Sequence, residues 1–143
     1  MPGIKVIVGS GLGTRLALSH SFAATMHNVS LKSGAVQTLA DLRVGPGGWI
    51  LQAKATVRVE QPEPIDVQLR LAAAEPGVAA VENKGLATVS GLGYATIVVV
   101  LGVDFSSIGE VTLEVSKQHL STAELSGMVI TGIRQDNLTL GEA

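Results

Sequence analysis

Few residues in this chain have the types and spacing that chemistry demands. A strand-like run, Ile4–Val8, leads into Gly9-Ser10-Gly11-Leu12-Gly13-Thr14. A dinucleotide fingerprint also follows a strand, but it needs G-x-G-x-x-G so that backbone can approach a pyrophosphate at a helix N-terminus. Here Thr14 stands at the third glycine position, and residues 1–40 contain no acid to hold a ribose. No Gly-Lys-Ser/Thr of a phosphate loop occurs either. His20 and His27 are seven apart and His119 is remote. A strand would put the first two on opposite faces and a helix would set them two turns apart, neither of which makes a zinc site. Glu60, Glu63 and Asp66 gather around Pro62 and Pro64. Carboxylates on a loop are calcium chemistry in principle, but this spacing matches no cation loop and reads as a solvated turn. No serine stands in G-x-S-x-G, and there is no cysteine to act as nucleophile, ligand or disulfide partner. The expectation is a protein that is not an enzyme, with no catalytic, cofactor-binding or metal residues.

Function must then come from surfaces, and composition constrains which. The 143 residues are 46% hydrophobic, 3% aromatic and 15% charged, with a net charge of −2. The charged share is well below the ~25% of an ordinary soluble domain. Disorder is excluded, and so is a nucleic-acid partner, for want of basic excess and stacking aromatics. No apolar run approaches the ~20 residues of a spanning helix, so no membrane partner is expected. The N-terminus makes a poor signal peptide, because glycines from Gly9 onward cut its apolar stretch short. Charge is unevenly placed. Residues 1–59 balance to +5 and residues 60–143 to −7, which suits a weakly basic N-terminal segment lying on an acidic surface.

The elements that must position these surfaces are strands. Residues 49–59 alternate, with Trp49, Leu51, Ala53, Ala55, Val57 and Val59 on one face and Ile50, Gln52, Lys54, Thr56 and Arg58 on the other. Residues 65–71 repeat the pattern with Ile65, Val67, Leu69 and Leu71, and residues 110–116 with Val111, Leu113 and Val115. Residues 36–44 show it more weakly, through Val36, Ala40, Leu42 and Val44. A period of two marks half-buried strands. The expected core holds Trp49, Leu51, Val57, Val67, Leu69, Val111 and Leu113. Turn residues separate the runs at Gly45–Gly48, Gln61–Pro64, Glu75–Gly77, Asn83–Gly85 and Gly91–Gly93. Residues 116–124 read as a loop. The spacing predicts an all-β sandwich or barrel.

One strand departs from alternation. Tyr94–Val103 is apolar on both faces, and Leu125–Ile133 is similar enough to be its neighbour. Either another part of the chain covers the outer face or a second copy does. A domain this small has few elements to spare, so the second is favoured, with a seam of Tyr94, Val98, Val100 and Ile130. Residues 1–35 read as an N-terminal arm or edge extension to a body at 36–143. Ile4, Lys5, Val6, Arg15 and Lys32 are its expected docking residues.

The run Leu42-Arg43-Val44-Gly45-Pro46-Gly47-Gly48-Trp49-Ile50-Leu51-Gln52-Ala53-Lys54-Ala55-Thr56-Val57 resembles a hairpin of tumour-necrosis-factor-like and complement-globular-head-like jelly rolls. The similarity is greatest to their bacterial and bacteriophage relatives. Strands like Ile65–Leu71, Tyr94–Val103, Val111–Val115 and Gly127–Ile133 follow in the same order, so it covers roughly residues 28–135. The resemblance implies a jelly-roll β-sandwich that forms a homotrimer through an apolar sheet. With no collagen-like stalk and no leader expected, it points to the phage-like members. The function expected is that of a virion structural protein made in a host cytoplasm, a capsid-decoration or tail/fibre component docked by its N-terminal arm. The alternative is a carbohydrate- or protein-binding jelly-roll module of the bacterial cytoplasm or surface.

Overall fold

In a computed structural model of the chain, eleven strands and no helix are found among the described residues. These are 4–8, 17–18, 20–31, 36–59, 64–89, 93–117 and 123–135. The strands are β1 (Ile4–Val8), β2 (Ala17–Leu18), β3 (Phe22–Met26), β4 (Val29–Leu31), β5 (Gln37–Val44), β6 (Gly47–Val59), β7 (Ile65–Glu75), β8 (Val78–Val89), β9 (Tyr94–Phe105), β10 (Gly109–Lys117) and β11 (Ala123–Gln135). They form two sheets. One runs β1-β3-β11-β6-β9 with β4 also on β11, and the other runs β2-β5-β10-β7-β8.

The pairing is nested about the β7–β8 hairpin. Outward from that tip, β6 pairs β9, β5 pairs β10, and β3 pairs β11, with successive pairs alternating between sheets. A long antiparallel ribbon rolled on itself gives this order, which is that of a jelly-roll-like sandwich. Among the described residues, only the two N-terminal edge strands pair in parallel, β1 with β3 and β2 with β5.

The alternation read from the sequence becomes the core. Trp49, Leu51, Val57, Val67, Leu69, Val111 and Leu113 are all buried between the sheets. Trp49 is the largest of them. Its indole Nε1 donates to the Gly45 carbonyl at 2.9 Å, which satisfies the one polar atom that burial would orphan. The Phe22 ring lies against it at 5.8 Å, and the Arg134 guanidinium covers it from outside at 5.9 Å.

Several expectations are corrected. Residue 35 is no boundary within the fold, since Leu18, Phe22, Ala24, Met26 and Leu31 belong to the same core cluster as Trp49. The apolar positions of β3 were too few for their period to stand out. Asn83-Lys84-Gly85 is not a turn but lies inside β8. The hairpin turn is Pro76-Gly77, and β8 hides from pattern reading because an exposed edge strand need not alternate. Val36 is 64% exposed. A bulge where β5 meets β10 brings both Leu39 and Ala40 inward, so the phase seen at 40–44 does not extend back to Val36. Finally, β11 neighbours β6, which separates it from β9.

Candidate interaction face

The outer face of the six-stranded sheet is built by three long strands in register. Across it, Glu124, Arg58 and Tyr94 form one row, and Ser126, Thr56 and Thr96 the next. Then come Val129, Lys54 and Val98, followed by Thr131, Gln52 and Val100, and by Ile133, Ile50 and Gly102. Tyr94 is 71% exposed, Val98 49%, Val100 46% and Ile133 52%. The alternation that hides Ile97, Val99, Val103 and Phe105 of β9 in the core necessarily turns these residues outward. The double apolar character of β9 thus resolves into one face in the core and one left open. Between Arg58 and the β9 end near Asp104, the central rows carry a single charge, Lys54.

The other sheet is dressed differently. On its outer side Arg70 of β7 donates to Glu82 of β8 and to Glu114 of β10, the latter at 2.6 Å. The two carboxylates raise the Arg70 pKa further, Glu82 chiefly, and Arg70 in turn holds Glu82 below the usual carboxylate range. Lys84 approaches Glu82 at 3.9 Å, and the Thr88 hydroxyl donates to Asp66. Asp41, Arg43 and Glu110 extend this charged surface across β5 and β10. Leu86 on the β8 edge and Val36, which borders Gln68, Arg70 and Glu114, are its apolar exceptions.

The edges of the two sheets meet at β8 and β9. Asn83 Nδ2 donates to the Val100 carbonyl at 2.9 Å and occupies an acceptor that the β9 edge would otherwise leave open. Gly85 allows this approach, since a Cβ there would sit 2.5 Å from Ile97 Cγ2. Beyond Glu75 the β9–β10 turn is held by that carboxylate, which accepts from the backbone N–H and hydroxyl of both Ser106 and Ser107. These bonds, those of Ser107 foremost, lower the Glu75 pKa.

The sequence-assigned residues fall into three groups. Tyr94, Val98 and Val100 share the open face. Ile130 does not, because it is 0% exposed and faces the core. Its strand shifts phase at the irregularity between Ser126 and Val129, so Met128 and Ile130 turn inward while Val129, Thr131 and Ile133 turn outward. Val129 and Ile133 share the open face with Val98 and Val100, and the sequence reading did not single them out. Of the docking residues, Ile4, Lys5 and Val6 lie on β1, which is a sheet strand paired to β3. Arg15 and Lys32 lie outside the described residues, as do the glycine loop 9–14, His119, Glu60 and Glu63. His20 and His27 are exposed. Among the described residues no group of three or more His, Asp or Glu side chains is placed to hold a metal.

No family model and no curated protein matches the chain. Among solved structures it is similar to the N-terminal endo-1,4-β-D-xylanase 10B of Clostridium thermocellum, a structure of CBM22-1 and GH10 modules complexed with xylohexaose. Identity is 12% and the TM-score 0.49, and the match covers 68% of this chain and 19% of that one.

Proposed function

We propose that this protein is a non-catalytic building block that associates with copies of itself, as a homotrimer, through the outer face of its six-stranded sheet. The observation that carries this reading is the unequal dress of the two sheets. One outer face is laced with ion pairs, while the other exposes Val98 and Val100 along β9 and sets Ile50 beside Ile133, with Val129 across Lys54 from Val98. A wet sheet face normally alternates polar residues outward, and contiguous apolar residues there mark an association site. Light scattering over a concentration series tests it. A mass near three chains is expected, and a monomer at every concentration defeats the reading.

The finer proposal is that the trimer belongs to a virion, as a bacteriophage capsid-decoration or tail/fibre component. Its support is the resemblance of residues 28–135 to phage-like jelly rolls and the absence of any recognisable catalytic constellation. Docking is assigned to β1, with Ile4, Lys5 and Val6, because a terminal strand of the sheet has one row of backbone groups open to a partner. A particle reconstruction with three-copy sandwiches on head or tail would support it. Particles that lack the protein would refute it.

Glycan recognition is the second reading, favoured by one observation. Tyr94 projects from a flat face beside Arg58 and Thr96, an exposed ring with polar neighbours. Binding on a glycan array that Tyr94→Ala abolishes would favour it, and an array without hits would dismiss it.

A further inference from the structure

Lys54 is misplaced for a face that is to be covered. In register it has Val98 on one side and Val129 on the other, and along its own strand the outward neighbours are Gln52 and Thr56. It makes no hydrogen bond or ion pair with any described residue. Among the described residues, the acids of the same face are distant. Glu124 stands opposite Arg58, four residues along β6, and Asp104 stands opposite Gly48, six residues along. At ~3.4 Å per residue these are separations of about 14 and 20 Å, out of reach within one copy. Covering such a face would strip water from the ammonium, and a buried charge without a counter-charge costs several kcal/mol. Whatever covers Lys54 must therefore bring an anion.

A second copy carries a suitable one. Asp66, Glu75, Glu82 and Glu114 are already bonded within the chain. Glu124 has Arg58 opposite it. Asp104 is exposed, faces only Gly48, and makes no hydrogen bond or ion pair with any described residue. It also borders a largely apolar depression of about 240 Å³ where the β7–β8 hairpin meets β9, lined by Ala73, Val78, Val81, Val103 and Phe105 together with Glu75, whose carboxylate is taken up by Ser106 and Ser107. The middle of the surface thus offers a cation between two valines, and its end offers an anion at the rim of a largely apolar depression.

We infer that in the assembled protein the Lys54 ammonium of one copy is paired with the Asp104 carboxylate of another. This rests on the self-association reading, and it adds the contact that sets how copies are juxtaposed. The pair fixes register, since any other alignment leaves a desolvated charge unanswered.

The test compares wild type, Lys54→Glu, Asp104→Lys and the double exchange by sedimentation equilibrium, with circular dichroism as the check on folding. Each single reversal should raise the concentration of half-dissociation by about thirtyfold or more, and the double exchange should recover most of that loss. If either single variant assembles like wild type, the pair does not exist. If both singles weaken assembly and the double exchange recovers nothing, Asp104 is not the partner of Lys54, although self-association stands. A wild type that is monomeric throughout removes the self-association reading together with this contact. Should a reversal impair folding, Lys54→Gln and Asp104→Asn carry the same comparison. Each neutral single should weaken assembly more than the neutral double, and equal loss in all three overturns the pair.

Discussion

Two isoleucine- and valine-type residues of similar size have opposite duties here, and single substitutions separate them. Ile130 is sealed between the sheets while Val98 faces outward. Ile130→Ala should cost about 2–5 kcal/mol of unfolding free energy through lost burial and a residual cavity. The loss should be the same at every protein concentration in a denaturant titration. Val98→Ser should leave the stability of the isolated chain within about 0.5 kcal/mol, as surface changes do, and act on self-association instead. Trp49 sits with Phe22 and Arg134 in the same packed layer, and Trp49→Ala should cost about 3–5 kcal/mol.

At the scale of elements, the β9–β10 turn depends on Glu75. Its pKa is depressed in the folded chain, so its contribution is present above the ordinary carboxylate range and is lost as pH falls through the lowered value. Glu75→Gln should therefore melt below wild type at pH 7. The gap should narrow as pH falls below the ordinary carboxylate range and close once the pH passes below the lowered value, where wild type also loses the charge. Thermal melts of both proteins across pH decide this, and a gap that persists at low pH would argue against the ionised clamp. The β8–β9 edge depends on Gly85 in a different way. Gly85→Val would drive a branched side chain into Ile97 and Val99 and should cost about 1–3 kcal/mol. The N-terminal strands are part of the fold as well. Removing residues 1–31 takes Phe22, Ala24, Met26 and Leu31 out of the core, and the cooperative unfolding transition should be lost.

For the whole molecule, the two sheets meet their surroundings on unequal terms, and the proposed self-association rests on that inequality. If the open face is covered by other copies, the melting temperature must rise with protein concentration, because only the folded chain offers the face. A melting temperature constant over about a hundredfold dilution would place the apolar face in water and leave the molecule a monomer.

The sequence by itself determined what is local. The alternation at 49–59, 65–71 and 110–116 marked three strands and their inward faces, because side chains on a strand can point only to one side or the other. It also marked β9 as unusual. Tertiary structure alone decided the rest. Whether Ile130 or Val129 faces outward turns on a one-residue phase shift in β11, whose mark in the sequence is Gly127, left-handed at φ 58° inside the irregularity; a mid-strand glycine alone does not say that the pairing slips there. Whether residues 17–31 are arm or core depends on what β11 and Trp49 present to Phe22, contacts between residues far apart along the chain. That Lys54 lies between two valines follows from pairing among β6, β9 and β11, since period-two patterning orders residues along a strand and says nothing of which strand lies beside it.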